Sequence, residues 1–353
     1  GLIADPYLPE KAEQAREDEI IHCVGCGQGC FDHVFLMQPV ECMVNPRAGH
    51  EYEGDIEPAD EKKKVAVVGG GPAGMAAALA ADKRGHEVTL FEKEMTLGGQ
   101  LYLAAAPPGR DEFMELVNDY ETQLELSGVE LRLGEEVTRD KLKGQGFDTV
   151  VLATGAKPAS PPIPGKDNPI VIQAWDYLDG VVDPPTGNIV VVGGGSVGVE
   201  TALALAEVGT VPSDTLRFLL IHDVESCEEL KRLAVYGTNK VTLVEMLPRI
   251  AQDMGKSTRW TFIEDLSRYN VDVMKKAKVL EIKENSVLLE MPEGEQKELP
   301  ADSVILAIGS EPYNPLEAEF ADSGLDIKLV GDAKKIGTAF DAIHAGYKAG
   351  RSV

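Results

Sequence analysis

The 353-residue sequence predicts an α/β protein with two nucleotide-binding domains and a small cysteine-rich segment in front of them. Three observations carry that reading. A G-x-G-x-x-G element follows a short apolar run at residues 65–68 and opens an Ala-rich stretch, and the same arrangement returns after residues 189–192. Each copy leads to a second apolar run that ends in a carboxylate, Glu92 in the first and Glu245 in the second. Four of the five cysteines lie close together near the start: Cys23, Cys26, Cys30 and Cys42. A lone glycine motif is weak evidence. Strand, glycines, helix, strand and acid in that order are the full context of a dinucleotide site, and the two copies read as Rossmann-like domains.

Each part of the first copy has a mechanical reason. Gly69 makes the tight turn, Gly71 lets a pyrophosphate approach the backbone, and Gly74 lets helix and strand pack closely. Pro72 and Ala73 begin the helix, whose N-terminus offers free N–H groups and a positive dipole end. Glu92, 18 residues after Gly74, is placed to accept hydrogen bonds from an adenosine ribose, with Lys93 beside it. In the second copy Gly193, Gly195 and Gly198 frame Ser196 and Val197, residues 202–206 continue the helix, and residues 241–244 form the second strand. Two such units imply two nucleotides, and therefore electron transfer rather than simple binding.

The length allows about two to three domains. A hydrophobic content of 43% with 36 glycines suits an α/β protein rich in tight turns. The formal charge of −25 argues against nucleic-acid backbones or anionic membrane as partners, and otherwise means a well-solvated surface. No uninterrupted apolar run reaches membrane-spanning length and no secretory signal opens the chain, so a cytoplasmic protein is expected. The chain starts at Gly1 with GLIADPYLPEKAEQAREDEI, a turn and a helix. That start predicts the later part of a longer polypeptide; a processed or engineered terminus is the alternative.

The cysteine spacing is C-x2-C-x3-C-x11-C, with Gly25, Gly27 and Gly29 between the first three so that the backbone can wrap closely. In a protein expected in the cytoplasm such a group is a metal site rather than a disulfide framework. A zinc site of four cysteines needs the same ligand count. Zinc ligands usually come as two C-x2-C pairs, however, whereas three cysteines within eight residues suit a [4Fe–4S] cubane. His22 is a neighbour of the first cysteine rather than a fifth ligand. Residues 51–64 are a charged connector.

Beyond Glu92, Gly98 and Gly99 let the backbone lie against a flat ring that Gln100 can hydrogen-bond; an ordinary loop is the alternative. Apolar spacing predicts a helix over 111–127, strands over 129–133 and 149–153, and an exit turn at Ala153, Thr154 and Gly155. Pro158, Pro161, Pro162 and Pro164 make a hinge. A long insertion at 210–240 looks helical over 214–220 and 228–236; it is an inert excursion or the cover of a partner surface, and it carries the lone Cys227. Glu245 favours the ribose hydroxyls of NADH and repels a 2′-phosphate, while Arg249 nearby leaves NADPH open. Residues 259–269 read as a helix with Trp260 as packing, and 279–299 as an antiparallel meander turning at Glu293 and Gly294. The strand at 303–308 runs into Gly309 and echoes the first exit turn. Another strand ends at Gly331 and Asp332, where the carboxylate can accept a hydrogen bond from a ribityl hydroxyl of FAD and the next helix faces the pyrophosphate. Residues 341–350 are the closing helix. The expected domains are 1–60, then 61–160 with 301–353, then 161–300.

Taken together, GGGPAG with Glu92, LGGQ, the LATG exit, GGGSVG, the AIG exit and LVGDA resemble the two-dinucleotide-binding flavoprotein fold over residues 65–353. The leading IADPYLPEKA and the cysteine frame resemble the iron–sulfur members of the old yellow enzyme group, the 2,4-dienoyl-CoA reductase and trimethylamine dehydrogenase family. The resemblance implies a [4Fe–4S] cluster on Cys23, Cys26, Cys30 and Cys42. It also implies FAD served by Glu92, Gln100 and Asp332, and a nicotinamide nucleotide served by Gly193, Gly195, Gly198 and Glu245. It further implies an FMN-bearing barrel upstream, in cis or as a partner, with electrons passing from NADH to FAD, cluster and FMN to reduce an enoyl-CoA-type double bond. The insertion departs from the shortest members of the family. Homo-oligomerisation is expected, although no residue specifies it, and no catalytic acid is identified among the 6 histidines. No C-x4-C pair lies near the flavin segment, which argues against disulfide reduction. A stand-alone electron-transfer subunit, or a module whose first site holds only ADP, are the alternatives.

Overall fold

The computed structural model describes residues 1–320 and 323–353. The chain divides into two compact units, Gly1–Lys157 with Ser310–Val353, and Pro158–Gly309.

The first unit is organised on a five-stranded sheet in the order Asp326–Leu329, Thr149–Leu152, Lys64–Val68, Glu87–Phe91, Glu130–Arg132. All neighbours pair in parallel. Its inner strands are continuous apolar runs because both faces of a parallel sheet are covered. Val65, Val67 and Val151 face a core shared with the helices Pro72–Lys83 and Glu112–Glu125. Ala66, Val150 and Leu152 face a second core with Phe91, Phe147 and Phe320. The helical spacing seen at Phe113, Leu116, Val117, Tyr120 and Leu124 is the buried stripe of Glu112–Glu125.

The closing helix Ala339–Arg351 meets Pro72–Lys83 backbone to backbone. A β-carbon on Gly346 would lie 2.0 Å from the carbonyl oxygen of Ala73, and one on Gly350 would lie 2.2 Å from that of Ala77. The cysteine-rich segment is folded into this unit: Val24, Met43 and Val44 join its core. Asp119 accepts the backbone N–H of His22 at 2.6 Å and lies 2.8 Å from its Nδ1. Nε2 of His344 reaches the carbonyl oxygen of Cys42 at 2.9 Å.

The second unit repeats the pattern with the strand order Val171–Gln173, Ser303–Leu306, Asn188–Val192, Lys240–Glu245, Asp272–Lys275, again all parallel. It adds the expected antiparallel meander, Lys278–Ile282, Ser286–Glu290 and Gln296–Pro300. The insertion forms two helices, Ser213–Ile221 and Cys227–Val235. Residues 301–309 belong here rather than with the first unit, because Ser303–Leu306 pairs with Asn188–Val192. Trp260 is not a packing residue: it is 62% exposed, its Nε1 donates to the Ser257 carbonyl, and Leu266 is the buried residue of Arg259–Arg268. Among the described residues no helix is long and apolar enough to cross a membrane.

The two-helix contact yields a test with opposite signs. Helix propensity alone makes Gly346→Ala stabilising by about 1 kcal/mol. The clash with the Ala73 carbonyl makes it destabilising by about 1–3 kcal/mol, as overpacking does. We expect the thermal midpoint to fall; a rise would mean that the helices are not in backbone contact there.

Candidate functional site

The two glycine turns are built alike, distance for distance. A β-carbon on Gly69 would lie 2.3 Å from the Ala153 oxygen, and one on Gly193 would lie 2.2 Å from the Ala307 oxygen. On Gly74 it would lie 1.8 Å from the Gly69 oxygen, and on Gly198 1.8 Å from the Gly193 oxygen. The first glycine takes positive φ in both units, 110° and 109°. These contacts pull the helices Pro72–Lys83 and Ser196–Glu207 onto the sheet so that their N-termini open at its carboxyl edge, where phosphates bind.

The terminal acids are held identically. Glu92 Oε2 accepts the Gly70 N–H at 2.6 Å and its Oε1 accepts the Glu94 N–H at 2.9 Å. Glu245 accepts from Gly194 and from Leu247, both at 2.6 Å, and is 8% exposed. Two backbone N–H bonds fix each carboxylate while leaving lone pairs for ribose hydroxyls.

Residues far apart in the chain converge in the first unit. Nε2 of Gln100 donates to Oδ2 of Asp332 at 3.1 Å, and Gly337 N–H donates to its Oδ1 at 2.9 Å. Burial pushes the Asp332 carboxyl above its usual range, against the lowering effect of those two donors. A β-carbon on Gly155 would lie 3.5 Å from Gln100 Nε2, one on Gly99 would lie 3.2 Å from Gly71 Cα, and one on Gly331 would lie 2.9 Å from Ala73 Cβ. Thr154 donates its hydroxyl to the Tyr313 carbonyl. Gly71 itself opens onto space, since a β-carbon there meets nothing within 4 Å. This open cradle, with a half-buried acid beside it, fits the pyrophosphate and ribityl chain of FAD. Lys93 stands apart, exposed and paired with Glu94.

The second unit departs from the first at one point. Oδ1 and Oδ2 of Asp253 accept the Ser196 N–H at 3.0 and 2.9 Å, and the Ser196 hydroxyl donates to Oδ2 at 2.8 Å. Val197 follows on the exposed side, and Gly309 ends the exit turn at φ 92°.

In the cysteine segment Gly25 and Gly27 take positive φ, 63° and 68°, which turns the chain between ligand positions. A β-carbon on Gly29 would lie 2.7 Å from the Glu41 oxygen. The five cysteines of the chain are not joined by disulfides in the structure. Burial pushes the Cys26 thiol up to about 11, with a bond from the Gln28 N–H opposing it and the neighbouring Cys42, Cys30 and Cys23 adding to the rise. Cys42 is raised by burial in the same way. Thiolates so placed need a cationic centre to hold them deprotonated. Among the described residues no group of His, Cys, Asp and Glu is drawn together tightly enough for a single ion. Four thiols on one short segment are a donor set that a zinc ion or an iron–sulfur cluster can use.

Several residues here were invisible to motif reading. Arg110 is buried near Cys26, and that burial depresses its guanidinium while the thiol raises it. Phe340 stacks on His344 at 4.0 Å between centroids and meets His33 edge-on at 5.5 Å. Three histidines, 33, 50 and 344, act on the Glu41 carboxyl: burial raises it, yet they and the bond from His50 bring it below its usual range. No spacing signal marked Phe340, which lies just ahead of the helix expected at 341–350, and none existed for Arg110.

The family model for pyridine nucleotide-disulphide oxidoreductases matches residues 63–333. A metal reductase of Desulforamulus reducens is 45% identical over 352 residues, covering 98% of this chain and 52% of the relative. An NADH oxidase of Thermoanaerobacter brockii is 39% identical over 354 residues, covering 99% and 50%. The solved structure of 2-naphthoyl-CoA reductase in complex with 2-naphthoyl-CoA superposes with a TM-score of 0.86 at 32% identity, covering all of this chain and 49% of that one. This chain thus spans about half the length of the curated relatives it matches. Twin glycine turns, twin amide-clamped acids and a match over most of its length place the chain in the pyridine nucleotide-disulphide oxidoreductase family.

Proposed function

We propose that this chain is the electron-donating half of a flavin and iron–sulfur reductase that takes a hydride from NADH and delivers electrons to an FMN barrel, which reduces an enoyl-CoA-type double bond. The nicotinamide nucleotide belongs at Gly193, Gly195, Ser196, Gly198 and Glu245, FAD at Gly69, Gly71, Glu92, Gln100 and Asp332, and the cluster on Cys23, Cys26, Cys30 and Cys42. When bound, FAD supplies the change from two-electron to one-electron chemistry, and the cluster accepts single electrons. The observation that carries the reading is the docking of the cysteine segment on the FAD-type unit, through Asp119 with His22 and His344 with Cys42. The similarity to a 2-naphthoyl-CoA reductase supports an acyl-CoA-type substrate.

The residues then have distinct tasks. Asp332 and Gln100 hold each other in place to meet the ribityl chain and ring edge. Glu245, fixed by two amides, selects for free ribose hydroxyls and repels a 2′-phosphate. Burial raises the thiols of Cys26 and Cys42, so ligation there would release their protons.

Three measurements test this. Cys26→Ser should abolish the broad iron–sulfur absorbance while NADH still bleaches the flavin; anaerobically prepared protein that carries zinc and no iron would sink the cluster. The ratio of kcat/KM should favour NADH over NADPH by on the order of tenfold or more, and a preference for NADPH would put Arg249 in control. The 353-residue chain should reduce dyes with NADH yet leave enoyl-CoA thioesters untouched until an FMN barrel is supplied; turnover of the thioester by the chain alone removes the donor-half reading.

A further inference from the structure

The two nucleotide turns share the close contacts of their first and last glycines and differ in the loop that follows the acid. In the first unit Gly98 donates its N–H to the Gly70 oxygen at 2.9 Å, and Leu101 donates to the Gly98 oxygen at 3.1 Å. In the second unit Ala251 donates to the Gly194 oxygen at 2.7 Å, and Met254 donates to the Ala251 oxygen at 3.3 Å. The loops after the two acids therefore share a register, with Ala251 in the place of Gly98 and Asp253 in the place of Gln100. Gln100 turns away to Asp332 and leaves Gly71 open. Asp253 turns inward instead: both its oxygens take the Ser196 N–H, one also takes the Ser196 hydroxyl, and a β-carbon on Gly195 would meet Oδ2 at 3.2 Å.

Ser196 is the first residue of the twelve-residue helix Ser196–Glu207, so its N–H belongs to the group that a dinucleotide pyrophosphate takes. A carboxylate is the same kind of acceptor and carries the same sign of charge. It cannot share that N–H with a phosphate, and it repels one nearby. Asp253 is exposed, so it is free to swing into solvent.

We propose that Asp253 sets the affinity of the second unit for its dinucleotide, acting as an internal competitor for the pyrophosphate position. The proposal rests on the reading of that unit as the NAD(P)H site. The protein is competent to bind only in the fraction of molecules with Asp253 swung out, and the apparent Kd rises by the inverse of that fraction. The first unit, which has to retain its cofactor, has no such competitor. The second, which has to release oxidised nucleotide at every turnover, carries one.

The test is equilibrium binding to the full chain with FAD bound, comparing wild type with Asp253→Ala and Asp253→Asn. The probes are NADH, ADP-ribose and adenosine. Removing the carboxylate should lower the Kd for NADH and for ADP-ribose together, on the order of tenfold. Asp253→Asn, which keeps an acceptor for the Ser196 N–H but loses the charge, should fall between. Adenosine, which lacks the pyrophosphate, should bind all three proteins alike, and FAD absorbance should be equal in all three. Unchanged or weaker NADH binding in both variants overturns the proposal, as does equal tightening of adenosine. Wild-type protein that binds no NADH at all also overturns it, by removing the nucleotide reading beneath it; that outcome is distinct from a wild type that binds NADH and variants that bind it no better.

Discussion

The structure depends on places where no β-carbon fits. At Gly74 and Gly198 the helix after each turn lies against the carbonyl of the turn's first glycine, so close that a methyl group would sit within bonding range of the oxygen. At Gly346 and Gly350 the closing helix lies as close to Pro72–Lys83. These contacts are steric rather than attractive, and that is why they specify geometry so sharply: a well-packed interior yields little to added volume. The first pair sets the helix N-termini over the sheet edge. The second anchors the chain's end, and with it His344 and Phe340, beside the cysteine segment.

A second layer of order is electrostatic and equally repeated. Each terminal acid is a carboxylate at the end of a parallel strand, clamped by the N–H of the turn's second glycine and by an N–H two residues on. Charge-assisted bonds of this kind hold a side chain in one rotamer without enclosing it. On the proposed function, the same residue that orders the turn also meets the ribose. Binding and folding use the same atoms here, so loss of either acid is expected to loosen its turn as well as its nucleotide contact.

Much of this was legible because it is local. The apolar runs, the glycine spacing and the acids 18 residues or more further on are properties of short segments, and they reappear at Lys64–Val68, Asn188–Val192, Glu92 and Glu245. Gln100 and Asp332 were each assigned to the flavin separately; that they bond to each other across 232 residues is a tertiary fact. The strand Ser303–Leu306 follows the second domain's meander in sequence and resembles the first domain's exit, and only its pairing with Asn188–Val192 decides its sheet. Val171–Gln173 is too short to show a period. Trp260 misled because a large aromatic on an apolar-spaced helix usually packs, and here it does not. Asp253 carried no motif at all, since its role depends on a backbone bond from Ala251 that no spacing rule encodes.

The duplication makes the differences informative. Two units with matching sheets, turns and acids have the same capacity to hold a dinucleotide, so whatever distinguishes their tasks has to lie in the residues that differ. On the first unit those are a glycine pair, Gly98 and Gly99, an amide at 100 that pairs with a half-buried acid, and a cysteine segment folded against the same helices. On the second they are an alanine at 251, a carboxylate at 253 and an insertion with no counterpart. One set leaves its turn open beside a paired amide and acid, and in the other a carboxylate covers the turn. On the proposed function, the first unit holds the cofactor that stays, and the second holds the nucleotide that arrives, reacts and leaves.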